Sequence, residues 1–152
     1  MEYLTRNMEE THDLAARFVA GKLPCCCKKR DRATVVGLYG DLGAGKTSFT
    51  QGVAAAFGIR DCVTSPTFVL EKIYKLSGDQ SYERLVHIDA YRLNRDEEMS
   101  QLGWEEIERN PGNIVFVEWP ERVEGVLPKD MIKIYFETIG IKEGERKIKI
   151  LC

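Results

Sequence analysis

The stretch GDLGAGKTSF, Gly40 to Phe49, constrains this chain more than any other, because it joins the apolar run TVVGLY to the helix-forming run QGVAAAFG. The octet Gly40-Asp41-Leu42-Gly43-Ala44-Gly45-Lys46-Thr47 fits the pattern GxxxxGK[ST] at every fixed position. Glycines let successive backbone N–H groups turn inward and make a nest for phosphate oxygens. The helix that follows adds its positive N-terminal end. Lys46 is expected to neutralise β- and γ-phosphate charge, and the Thr47 hydroxyl to hold Mg²⁺. The expected nucleotide-binding segment runs from Gly40 through Ser48, with ATP or ADP as ligand.

Around this loop the chain alternates strand-like and helix-like segments. Asn7 to Ala20 carries apolar residues (Leu14, Ala15, Phe18, Val19) at helical spacing. Thr34 to Tyr39, RLVHID and IVFVE read as buried strands, and Lys46 to Phe57 as a helix stopped by Gly58. Thr67 to Leu76 reads as extended, and DEEMSQLGWEEIERN as short helical pieces broken near Gly103. MIKIYFETI and RKIKIL alternate with period two on either side of IKEGE, which predicts an antiparallel hairpin. The expected fold is α/β, a three-layer P-loop NTPase-like domain over residues 1–152. Its central sheet is mainly parallel, with an antiparallel C-terminal edge hairpin.

A P-loop needs an acid at the end of another strand to support the metal. Asp89 closes LVHID and Glu118 closes IVFVE, at the carboxyl ends of strands where a parallel sheet gathers ligands. One acid can order the Mg²⁺ shell while the other binds metal or orients the attacking water, so Lys46, Asp89 and Glu118 are the catalytic candidates. His87 lies inside its strand and reads as a packed core residue. Trp119, next to Glu118, can stack near the nucleotide or plug the core.

Composition removes several alternatives. A net charge of −2, with 43% hydrophobic and 30% charged residues, lacks the basic excess of a free-standing nucleic-acid binder. No apolar run approaches the roughly 20 residues that span a bilayer, and MEYLTRNMEE is too acidic for a signal peptide. No membrane association is expected, and the expected location is the cytoplasm. Cys25, Cys26 and Cys27 are consecutive, and adjacent cysteines do not easily share one tetrahedral metal; with Cys62 and Cys152 they make an odd count that fits reduced thiols. A small-molecule kinase would need an acceptor site and a lid, for which a chain this short leaves little room.

Five segments in order, GDLGAGKTSF, VTSPTFVL, HIDAYRL, LGWEE and VEWPERV, resemble the TsaE (YjeE) family over almost the whole chain. The resemblance implies a small bacterial P-loop ATPase needed to form N6-threonylcarbamoyladenosine at position 37 of tRNAs reading ANN codons. It implies TsaB and TsaD as partners, with TsaC or its relative supplying threonylcarbamoyl-adenylate and tRNA reached through the complex. By the same resemblance Lys46 and Thr47 are the Walker A lysine and metal-binding threonine, Asp89 the Walker B-like acid, and Glu118 a second acid contacting Mg²⁺. Ser65, Pro66 and Thr67 resemble a switch that senses the γ-phosphate. Trp119 would lie beside the nucleotide, Thr11 near the adenine end of the pocket, and Arg122 against the nucleotide. The CCCKKRDR connection departs from the family, whose members carry a short Pro/Gly-containing turn there.

Overall fold

A computed structural model describes residues 1–21, 31–60, 70–77, 81–140 and 144–152. Seven strands, β1 (Glu2–Thr5), β2 (Thr34–Tyr39), β3 (Glu71–Lys75), β4 (Arg84–Asp89), β5 (Asn113–Glu118), β6 (Ile132–Thr138) and β7 (Arg146–Leu151), form one sheet in the order β1-β7-β6-β2-β5-β4-β3. The centre, β6-β2-β5-β4, is parallel, and β3, β7 and β1 pair antiparallel with their neighbours. The expected hairpin is β6–β7. It lies toward one flank, with β1 added outside β7 through pairs such as Glu2 with Lys149.

The helices follow from local signals. α1 (Met8–Val19) starts where the Asn7 side chain accepts a hydrogen bond from the Glu10 amide, while the Glu10 carboxylate accepts from the Arg6 amide. Reciprocal capping of this kind satisfies donors that the first helical turn leaves open. α2 (Lys46–Ala56) grows directly out of the glycine-rich loop and ends before Gly58. A 3₁₀ segment at Asp96–Leu102 passes through Gly103, which takes a left-handed turn, into α3 (Trp104–Arg109).

These elements bury the sheet on both faces. α1 and α2 cover one side, where Phe18, Phe49, Phe116 and Phe136 pack edge-on or tilted with ring centroids 5.6–6.5 Å apart. On the other side Val86, Ile88, Val115 and Val117 meet Met99, Trp104, Ile107 and Leu127. Strands buried on both faces need apolar residues at successive positions, which is why β2, β4 and β5 read as near-continuous runs. Among the described residues no helix is long and apolar enough to cross a membrane. Cys152 is in a disulfide, against the expectation of reduced thiols. The Cys25–Cys27 run lies outside the described residues.

α1 and α2 approach so closely at Gly52 that a Cβ there would stand 2.7 Å from the His12 Cα and 2.9 Å from the Ala15 Cβ. Replacing a helical glycine by alanine ordinarily stabilises by about 1 kcal/mol. Here overpacking against backbone, at about 1–3 kcal/mol, outweighs it. Gly52→Ala is therefore expected to lower the urea midpoint, and a raised midpoint would show that the helix pair has room to separate.

Candidate functional site

The parallel register sets two acids side by side. Asp89 pairs with Glu118 across β4 and β5, and Glu118 pairs with Leu38 across β5 and β2, so both carboxylates reach the strand ends beside the loop that leaves β2. That loop runs from Gly40 to Gly45 into α2. It borders a cleft of about 420 Å³, a size suited to a small organic ligand. Leu42, Gly43, Gly45, Lys46, Thr47 and Ser48 line it from the loop side. Asp89, Glu118, Tyr91, Trp119 and Arg146 line it from the sheet and its connections.

Within the cleft the Thr47 Oγ1 donates to Glu118 Oε1 at 3.0 Å. The same oxygen lies 2.8 Å from His87 Nε2, and both His87 and Glu118 are buried. His87 is thus a buried histidine, as the sequence suggested, but it serves Glu118 as a polar partner. Its other ring nitrogen, Nδ1, is buried without a hydrogen bond. A donated bond from Nε2 with an unprotonated Nδ1 satisfies the carboxylate and leaves only an acceptor unpaired. Asp89 differs: its Oδ1 accepts from the Tyr91 amide at 2.9 Å and so shapes the turn after β4.

Lys46 is folded back onto its own loop, donating to the carbonyls of Gly40 at 2.5 Å and Asp41 at 2.8 Å. Its ammonium also sits 4.3 Å from the centre of the Trp119 ring. Burial pulls the Lys46 pKa down, and nearby Glu118, Glu121 and Asp89 act in the opposite direction. Trp119 holds a left-handed backbone, φ 59°, which costs a bulky residue energy and aims its side chain at the cleft. Between the two alternatives open for Trp119, the structure places it at the cleft wall. Tyr91 packs on it at 5.1 Å, and the Arg122 guanidinium lies 5.5 Å over the Tyr91 ring.

Arg122 and Asp41 do not themselves line the cleft, though the Asp41 carbonyl accepts from Lys46, which does. Thr11 stands apart from the cleft: it is fully buried in α1, with its hydroxyl donating to Asn7 O at 3.1 Å and lying 3.0 Å from the Thr5 hydroxyl. Ser65, Pro66 and Thr67 lie outside the described residues. Tyr91 and Arg146 line the cleft although sequence reasoning did not single them out. Tyr91 stands two residues after Asp89, a position the strand-end acid could have flagged; nothing local distinguishes Arg146.

The donor set fits Mg²⁺ carried by a nucleotide. Thr47 and Glu118 offer hard oxygens, and among the described residues no three acids, histidines or cysteines converge to hold a metal by themselves. Mg²⁺ commonly takes few protein oxygens and fills its octahedron with water and substrate phosphates.

A family model described as "TsaE: Threonylcarbamoyl adenosine biosynthesis protein TsaE" matches residues 5–148. Similar proteins bear the name tRNA threonylcarbamoyladenosine biosynthesis protein TsaE. That of Bacillus subtilis is 35% identical over 145 residues, covering 95% of this chain and 82% of its own. That of Haemophilus influenzae is 38% identical, covering 80% and 72%. A crystal structure of YdiB from Bacillus subtilis superposes with a TM-score of 0.73 at 32% identity, covering 99% of this chain and 83% of that one.

The geometry ranks the two acids. Because the Glu118 carboxylate accepts from Thr47 while Asp89 Oδ1 accepts from the Tyr91 amide, Glu118→Gln is expected to shift the Mg²⁺ dependence of any nucleotide hydrolysis at this cleft more than Asp89→Asn. Titration of activity against Mg²⁺ checks this, and the reverse order would exchange their roles.

Proposed function

Since this chain belongs to the TsaE family of tRNA threonylcarbamoyladenosine biosynthesis proteins, we propose that it is a Mg²⁺-dependent ATPase, slow by itself, whose nucleotide state switches its hold on TsaB and TsaD. The observation that carries the reading is the Thr47–Glu118 hydrogen bond at the root of a GxxxxGKT loop, with Lys46 beside it. A plain glycine turn has no need of a buried carboxylate aligned on its threonine.

In this reading ATP enters with its phosphates against the amides of Gly43 to Thr47. Lys46 exchanges the carbonyls of Gly40 and Asp41 for phosphate oxygens, a trade of neutral for charge-assisted hydrogen bonds. Thr47 and Glu118 would hold Mg²⁺, which neutralises phosphate charge when bound. His87 keeps the Glu118 carboxylate from turning away. Asp89 orients the attacking water, and Trp119 and Tyr91 flank the nucleotide. The family resemblance gives Ser65, Pro66 and Thr67 the response to the γ-phosphate.

The chain's part in tRNA modification would then be conformational, with tRNA met through the complex in the cytoplasm. Coupling of this type requires a differential affinity of about 1–3 kcal/mol between nucleotide states, and by linkage the partner must favour the same state.

Two measurements test the proposal. Lys46→Ala is expected to weaken Mg·ATP use about ten- to a hundredfold, the equivalent of about 1.5–3 kcal/mol, while thermal unfolding stays near that of the wild type. Unchanged hydrolysis in the folded variant would sink the assignment. In calorimetry, TsaB–TsaD should bind this protein more tightly with a non-hydrolysable ATP analogue than with ADP or no nucleotide. Equal affinity in the three states would end the switch model.

A further inference from the structure

Arg146 opens β7, yet its side chain serves the phosphate loop 102 residues earlier in sequence. Its Nε donates to the Ala44 carbonyl at 3.1 Å, and its Nη1 donates to the Gly144 carbonyl at 2.9 Å. The fit is close enough that a Cβ on Gly45 would lie 2.5 Å from Arg146 Nε and 2.7 Å from its Cδ. Gly45 is also the residue before α2, with φ 106° and no side-chain cap. The backbone angle calls for glycine there, and its missing side chain is the space in which the arginine lies.

The Ala44 carbonyl and the Gly45 N–H belong to one planar trans peptide, in which the two groups point in opposite directions. Whatever fixes the carbonyl also aims the amide. We propose that Arg146 is a positioning residue for the phosphate nest: by holding the Ala44 carbonyl it sets the Gly45 N–H toward the place of the β-phosphate. The inference rests on the nucleotide reading of the cleft and adds to it a strut from the far strand. The strut acts through shape. Two guanidinium N–H groups are engaged by carbonyls, and a lysine, with one compact ammonium on a flexible stem, cannot reproduce that fork.

The test uses the full chain as wild type, Arg146→Lys and Arg146→Ala, with ADP and AMP each competed against a fluorescent ADP analogue. Amide hydrogen exchange is read on the nucleotide-free proteins. Both variants are expected to bind ADP about tenfold more weakly, the loss of one well-aimed bond to a charged group. AMP, which has no β-phosphate, should change little. Exchange at Gly45 should quicken in both variants, with the amides of β2 and β5 unaffected. ADP binding by Arg146→Lys at the wild-type level would overturn the strut in favour of simple charge. Equal losses for ADP and AMP, or no loss in Arg146→Ala, would overturn it outright. Should the wild type take no ADP, the nucleotide reading falls, and the exchange rate at Gly45 still decides for or against the strut.

Discussion

Glu118 is 3% exposed, in a place where an uncompensated charge costs several kcal/mol. It is tolerated because one oxygen receives the Thr47 hydroxyl and lies within bonding distance of the His87 ring nitrogen. That shared oxygen joins three elements: the first turn of α2, the interior of β4 and the end of β5. The loop before α2 cannot drift relative to the sheet without stranding the carboxylate, so the glycine-rich loop and the strand-end acids keep one spatial relation. Removing either donor would leave the burial of Glu118 and lose its compensation, which is why such a network is best judged whole.

Much of this was legible along the chain. β2, β4 and β5 carry apolar residues at successive positions because helices cover both faces of the sheet, and the octet before α2 has few other uses. Asn7 announces α1 through a side-chain oxygen that its own first turn needs. Asp89 and Glu118 could be paired in thought because each ends an apolar run, and the parallel register did place them opposite one another.

What the chain concealed depends on register and on contacts between distant segments. His87 looks like any polar residue in a buried strand until β4 and β5 are aligned and it faces the same side as Glu118. Arg146 belongs to an alternating strand whose other basic residues are ordinary surface groups, and only the β6–β7 pairing brings it to Ala44. β1 is four residues long, and its place outside β7 follows from a partner more than a hundred positions away. Thr11 shows the converse. The resemblance alone pointed it toward the pocket, and its hydroxyl lies toward Asn7 and Thr5.

The placement of β1 against β7 bears on the order in which this molecule assembles. α1, α2 and the β4–β5 pair draw on segments close in sequence, whereas the Met1 amine meets the Ile150 carbonyl across 149 positions. Closing so long a loop carries an entropic cost before any contact rewards it, and such pairings form late. The strand that completes that closure is the one that carries the Ala44 contact. β7 takes its own place through the hairpin with β6, so the Ala44 contact does not wait for β1, and the first strand closes over an edge that is already formed.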